Sequence, residues 1–172
     1  VIKIAIVTKN CLWSYLESNN LKTLKNQNNL LNIVKIASLL KYQITNEDFK
    51  ESNNRMILNY GHTIGHAIEA LTFKKHGYCV SMGICYEMQI KRNGKYITPF
   101  KIQHEIRQML EKYELPTKLD FELDIDEIQN KIMLDKKKNR VILVSNFGNP
   151  KIYEINKQDI INIFNKKRII CR

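Results

Sequence analysis

Two histidines four residues apart lie in the stretch "LNYGHTIGHAIEA", where His62 and His66 each follow a glycine. On an α-helix, side chains at this spacing lie on the same face, so both imidazoles can serve one site. A third histidine, His76, follows in "KKHGYC". Imidazoles at such spacing commonly bind Zn²⁺. The same spacing also fits rings that only pack or face solvent.

Gly61 and Gly65 weaken the interpretation that the two rings only pack or face solvent. Glycine within a helix costs roughly 1 kcal/mol relative to alanine, and Gly61 and Gly65 fall within about one turn. We therefore expect another backbone or a ligand to approach this segment closely. The fourth histidine, His104, stands alone in a polar helical pattern, which favours a surface position.

The chemistry-bearing segment belongs to a chain whose apolar residues recur mostly every three or four positions, which is typical of helices. The spacing predicts helices over 1–18, from 21 or 29 to 45, and over 57–71, 80–91, 100–113, 124–134 and 156–167. Two β-rich runs flank "NFGNP" and predict a hairpin. The segment "RNGKYITP" predicts a turn, and Asn156 is the predicted N-cap of the last helix. The predicted fold is mainly α, a single domain over 1–172 with one small β-hairpin near the C-terminus.

Composition limits the class of protein. The 172 residues are 44% hydrophobic, enough for a core, and contain no apolar run long enough to span a bilayer. The four cysteines form no CxxC pair, which favours a reducing, cytoplasmic setting.

Lys and Arg number 28 against 17 Asp and Glu, a net charge of +11. Because the basic residues are scattered and the chain is rich in Asn, Ile and Lys, we expect neither a nucleic-acid nor a membrane partner.

The segment "RMILNYGHTIGHAIE" followed by "HGYCVSMG" resembles the signature of 3-dehydroquinate synthases, the second enzymes of the shikimate pathway, which supplies aromatic amino acids. "VIK" at the start, "YELPT" and "MLDKK" extend the resemblance over nearly the whole chain. The sequences of the segments "LTFKKHGYCVSMG" and "KYELPTKL" are most similar to the version within the fungal pentafunctional arom polypeptide. The resemblance implies the mainly helical C-terminal domain of that fold.

The resemblance also implies an activity. In this family a heptulosonate phosphate is oxidised by bound NAD, loses phosphate, is reduced again and closes to a carbocycle. The family's metal is Zn²⁺ or Co²⁺, and its members tend to form homodimers. Carried over by motif, the metal ligands are His62 and His76, and the proton-transfer residues are His66 and Glu51. The substrate-binding residues implied are Lys3, Lys41, Arg55, Asn59 and Lys136.

Without the resemblance, each of these residues has an ordinary explanation. Lys3 can be a solvated lysine, Lys41 a lysine at a helix end, and Glu51 a solvated glutamate. Arg55 can form a buried salt bridge, Asn59 can be a helix N-cap, and Lys136 can belong to a lysine run on the surface. Glu69 can orient an imidazole or simply face solvent, and it is not among the predicted site residues.

Three departures from the family pattern qualify the prediction. The family's third metal ligand is a glutamate in "AEVIK", and this chain starts at the following valine. The NAD-binding N-terminal domain is not in this sequence, so we expect the isolated chain to be inactive. Tyr78 stands where the family usually has glutamate, which bears on metal affinity. The alternatives to a dehydroquinate synthase half are a non-catalytic interaction module and another sugar-phosphate cyclase.

Overall fold

A computed structural model describes residues 1–8, 11–47, 54–120, 124–133 and 139–165. The predicted site residues Glu51 and Lys136 lie outside the described residues. The helices are α1 (Ile2–Thr8), α2 (Cys11–Ser18), α3 (Leu21–Leu24), α4 (Gln27–Glu47), a 3₁₀ helix (Asn54–Asn59), α5 (His62–Thr72), α6 (His76–Glu87), α7 (Phe100–Lys112), α8 (Ile125–Met133) and α9 (Lys157–Asn165). No helix within these ranges is both long and apolar enough to cross a membrane.

Two antiparallel hairpins complete the described fold: β1 (Lys91–Arg92) pairs with β2 (Lys95–Tyr96), and β3 (Arg140–Val144) pairs with β4 (Pro150–Glu154). The mainly helical fold and the hairpin around "NFGNP" are confirmed. The first hairpin, however, was predicted only as a turn. Asn93 and Gly94 both have positive φ, 51° and 75°. That conformation is the tight turn in which Asn-Gly joins two strands.

Two helix starts also differ from the prediction. The helix expected from residue 57 begins at His62, because a 3₁₀ helix ends at Asn59 and Gly61 then takes a left-handed conformation, with φ of 76°. The helix expected from residue 80 begins at His76. The predicted cap of the last helix is confirmed: the N–H of Asp159 donates to Asn156 Oδ1 (2.9 Å), and the N–H of Asn156 donates to Asp159 Oδ2 (3.0 Å).

Helix α6 is the centre of the packing, since its residues from Cys79 to Glu87 are all buried. One apolar cluster joins Val80 and Ile84 to α1, α2, α4 and α7. A second cluster joins Cys79, Met82 and Tyr86 to α5, α8, β3 and α9. A helix that is buried all round must be apolar all round, and this explains the weak periodicity of "CVSMGICY".

Helices α5 and α6 pack backbone against backbone. A Cβ on Gly83 of α6 would lie 2.1 Å from the carbonyl oxygen of Gly61 and 2.7 Å from the nitrogen of Gly65. A Cβ on Gly65 would lie 3.0 Å from the carbonyl oxygen of Cys79. The close approach expected from the two glycines of the histidine segment is therefore confirmed, and the approaching backbone is that of α6.

We predict that Gly83→Ala destabilises the fold. The new methyl group meets backbone atoms, which cannot move aside as a side chain can, so α5 and α6 must separate. We expect a loss of about 1–3 kcal/mol, the usual range for overpacking, measured by urea unfolding. Gly77→Ala is the matched control on the same helix, because a Cβ there meets nothing within 4 Å. Equal stability of the two variants would contradict this account of the packing.

Candidate metal centre

Three imidazoles converge where α5 faces the start of α6. Helix α5 places His62 and His66 one turn apart, and His76 is the first residue of α6. One ring nitrogen from each of the three histidines lies within 4.8 Å of the other two. The ring centroids are 5.1 Å, 5.3 Å and 5.6 Å apart. We call this group the imidazole cluster.

The contacts of His62 fix its tautomer. Its Nδ1 lies 3.1 Å from the carbonyl oxygen of Tyr60, and its Nε2 lies 3.2 Å from Lys3 Nζ. A carbonyl can only accept a hydrogen bond, so Nδ1 carries the proton and Nε2 presents a lone pair. Burial first, and then the positive charge of Lys3, lower the pKa of His62 to about 4. His62 is therefore neutral at pH 7, the form that binds metal.

Lys3 of α1 is half-buried beside His62. Its ammonium group donates to the carbonyl oxygen of Leu58 as well as facing His62. Burial lowers the pKa of Lys3 to about 8, Lys41 lowers it as well, and Glu87 opposes this shift. The ordinary alternative of a solvated lysine is wrong for Lys3, which brings a positive charge to the imidazole cluster.

His76 is held by a carboxylate. Its Nδ1 lies 2.8 Å from Glu69 Oε2, and this hydrogen bond lowers the pKa of Glu69. With Nδ1 engaged, Nε2 is the nitrogen available to the cluster. Tyr78, in the position where the family usually has glutamate, is 42% exposed. The carboxylate that orients His76 thus comes from Glu69 of α5, three residues before that helix ends at Thr72.

Glu87 was missed by the sequence analysis. Its side chain is fully buried in α6, with Oε2 accepting from the Gly61 N–H (2.9 Å) and Oε1 from the Ile64 N–H (3.1 Å). Burial raises the pKa of Glu87 to about 8, and these N–H groups oppose the rise. Glu87 takes the place of a side-chain cap for α5, whose N-cap residue is Gly61. The available signal was a lone acidic residue in the apolar stretch "SMGICYEMQI".

The other predicted residues lie on neighbouring elements. Lys41 is exposed on α4 and acts electrostatically on Lys3. Arg55 and Asn59 are exposed on the 3₁₀ helix that leads into Gly61. The helix N-cap alternative for Asn59 is wrong for α5, since Gly61 holds that position. His104 is exposed, as expected.

A cavity of about 430 Å³ borders the imidazole cluster. Lys3, His62 and His76 form part of its wall, while the rest of the lining is mostly apolar, including Ile33, Val80 and Tyr113. Neutral imidazole nitrogens are good ligands for Zn²⁺ and Co²⁺. In His62 and His76 an acceptor holds Nδ1, which leaves the lone pair on Nε2. The residues present therefore fit such a metal, which at His62 would take the place of the Lys3 ammonium now facing Nε2.

We predict that Lys3→Met raises the pKa of His62 above its value of about 4. Removing the positive charge makes protonation of the ring easier, while burial still holds the pKa below the ordinary 6.5. An NMR titration of the histidine ring protons measures this, with the exposed His104 as internal reference. An unchanged His62 titration would show that Lys3 exerts no field on the ring.

Comparison with known proteins gives a consistent result. The family model described as "3-dehydroquinate synthase C-terminal" matches residues 1–138. A 3-dehydroquinate synthase of Thermodesulfovibrio yellowstonii is 34% identical over 96% of this chain and 48% of its own length. That of Clostridium beijerinckii is 37% identical over 74% of this chain and 39% of its own length. The chain thus spans about half the length of the first relative and less than half the length of the second.

Two solved structures share the fold. A 2-deoxy-scyllo-inosose synthase complexed with carbaglucose-6-phosphate, NAD⁺ and Co²⁺ superposes with a TM-score of 0.80 at 21% identity, covering 96% of this chain and 49% of that one. A 2-epi-5-epi-valiolone synthase from Streptomyces hygroscopicus, with NAD⁺ and Zn²⁺ bound, gives 0.77 at 15% identity, over 96% and 48%. The sequence match is the decisive result: this chain belongs to the 3-dehydroquinate synthase C-terminal family.

Proposed function

We propose that this chain is the C-terminal half of a 3-dehydroquinate synthase. The reaction converts 3-deoxy-D-arabino-heptulosonate 7-phosphate to 3-dehydroquinate and phosphate, in the shikimate pathway. The observation that carries the proposal is the imidazole cluster beside the Lys3 ammonium, in a chain of this family. The partner we propose is an NAD-binding N-terminal half, and the whole enzyme is proposed to be a cytoplasmic homodimer.

The metal we propose is Zn²⁺ or Co²⁺, held by His62 and His76. When bound, such an ion supplies a Lewis acid that polarises the substrate alcohol to be oxidised. His62 is neutral and presents Nε2, and Glu69 holds His76 in the matching tautomer. We assign His66 to proton transfer, together with Glu51. The family's additional ligand, a glutamate, is proposed to come from the N-terminal half.

The substrate is a double anion, with a carboxylate at one end and a phosphate at the other, and it needs cations spaced along the site. Lys3 on α1, Lys41 on α4 and Arg55 on the 3₁₀ helix supply positive charge from three separate elements. We propose these residues, with Asn59 and Lys136, as the substrate contacts. Lys3 is the best supported, because it is half-buried against the imidazole cluster.

A related sugar-phosphate cyclase is the second candidate, since the structural neighbours carry that activity. Their identities of 15–21% support a common fold only, whereas relatives named 3-dehydroquinate synthase reach 34–37%. An interaction module without catalysis is less favoured. It would need neither a neutral, half-buried His62 nor a lysine held against that ring.

The test is an assay of the chain joined to its N-terminal half. With NAD and Zn²⁺ we expect phosphate release from the heptulosonate phosphate, and at least a hundredfold slower turnover for His66→Ala, in the range usual for lost acid–base catalysis. His104→Ala is the matched control, because that histidine is exposed on α7. A folded, NAD-bound and metal-loaded protein that releases no phosphate would refute the enzyme assignment.

A further inference from the structure

One peptide group links Glu87 to His62. The N–H of Gly61 donates to Glu87 Oε2 at 2.9 Å. The carbonyl of Tyr60 accepts from His62 Nδ1 at 3.1 Å. These two groups belong to the same planar peptide unit, the one that joins Tyr60 to Gly61. Its N–H and C=O point in opposite directions, so one end faces the carboxyl group and the other faces the imidazole.

We propose that Glu87 is a positioning residue for His62, acting through the Tyr60–Gly61 peptide group. The carboxyl oxygen fixes the orientation of the peptide plane, and the carbonyl at its other end fixes the His62 tautomer. Hydrogen bonds in series polarise one another, so the carbonyl becomes a better acceptor. The inference rests on the proposed function, because His62 matters as a metal ligand.

The surroundings of this peptide group leave it little freedom. Gly61 has φ of 76°, and a Cβ there would lie 2.4 Å from Ile84 Cγ1 and 2.8 Å from the Val80 carbonyl oxygen. The position therefore requires glycine, and glycine by itself is flexible. Glu87 Oε1 also accepts from Ile64, so the carboxyl group spans the first turn of α5. This second bond holds the carboxyl group in place, and the peptide plane with it.

The position of Glu87 in the core supports a role beyond packing. It is 0% exposed and lies in a helix whose other buried positions from Cys79 to Tyr86 carry no charge. A buried carboxyl group is expensive unless its oxygens are satisfied. Here both oxygens are used by backbone groups next to the metal ligand. Glu69 holds His76 directly, and Glu87 holds His62 through one peptide unit.

The experiment measures the His62 tautomer and the affinity for Zn²⁺ in Glu87→Gln. Long-range ¹⁵N–¹H spectra at pH 7 report which ring nitrogen carries the proton, with no metal, substrate or NAD present. We expect the unsubstituted chain to hold its proton on Nδ1 and the variant to lose that preference. In the chain joined to its N-terminal half, the dissociation constant for Zn²⁺ should rise about tenfold, as for other outer contacts of metal ligands.

The control separates positioning from general destabilisation. Ile68 lies fully buried on α5, the helix that carries His62, and away from the first turn of that helix. Ile68→Val or Ile68→Ala is chosen to match the drop in melting temperature of Glu87→Gln. The proposal requires that this control keep the Nδ1 tautomer and the Zn²⁺ affinity. Equal losses in both variants, or a retained tautomer and affinity in Glu87→Gln, would overturn it.

A further measurement needs no variant, so it tests the proposal even if the Glu87→Gln chain does not fold. In the unsubstituted chain, a scalar coupling between the Gly61 nitrogen and the Glu87 carboxyl carbon should be detectable across the hydrogen bond. His62 should show a proton on Nδ1 in the same sample. Absence of the coupling, or a proton on Nε2 instead, would overturn the proposal. Neither result depends on turnover, so a failure here is distinct from a failure of the enzyme assignment.

Discussion

The contact between α5 and α6 is the constraint on which the site depends. Their backbones meet because Gly61 and Gly65 face Gly83, with no room for a Cβ at Gly83. This close approach of the two helices brings His76, at the start of α6, within reach of His62 and His66 on α5. It also brings Glu87, at the other end of α6, to the first turn of α5. The glycines that appeared costly for a helix are therefore the condition for assembling the imidazole cluster.

Charge around the cluster follows a simple arrangement. Lys3 Nζ lies 3.2 Å from Nε2 of His62, the ring nitrogen that carries the lone pair. The other ring nitrogen, Nδ1, is held by Glu69 directly in His76, and in His62 by the Tyr60 carbonyl of the peptide group that Glu87 contacts. The lowered pKa of His62 and the raised pKa of Glu87 have the same first cause, which is burial. The interior thus keeps the first ring neutral, and the hydrogen bonds determine which nitrogen it presents.

Much of this arrangement was readable from local sequence. The spacing of His62 and His66 indicated a shared face, the two glycines indicated a close approach, and "NFGNP" marked the hairpin. Contacts across the sequence were not readable in the same way. Gly83 and Glu87 contact residues 61–65 from more than fifteen positions away, and no local pattern pairs them with that segment. The start of α5 was also misplaced, because helical spacing continues through Gly61 although its φ is positive. The roles assigned to the site residues, including Glu51 and Lys136, stay predictions from the resemblance.

The central claim is that the imidazole cluster is a metal centre with divided roles. Titration of Zn²⁺ into the chain joined to its N-terminal half tests it most directly, using the His62→Ala, His66→Ala and His76→Ala variants. The account predicts that His62→Ala and His76→Ala lose the metal, while His66→Ala binds it with nearly unchanged affinity. Zn²⁺ binding that survives in His62→Ala as in the unsubstituted protein would contradict it.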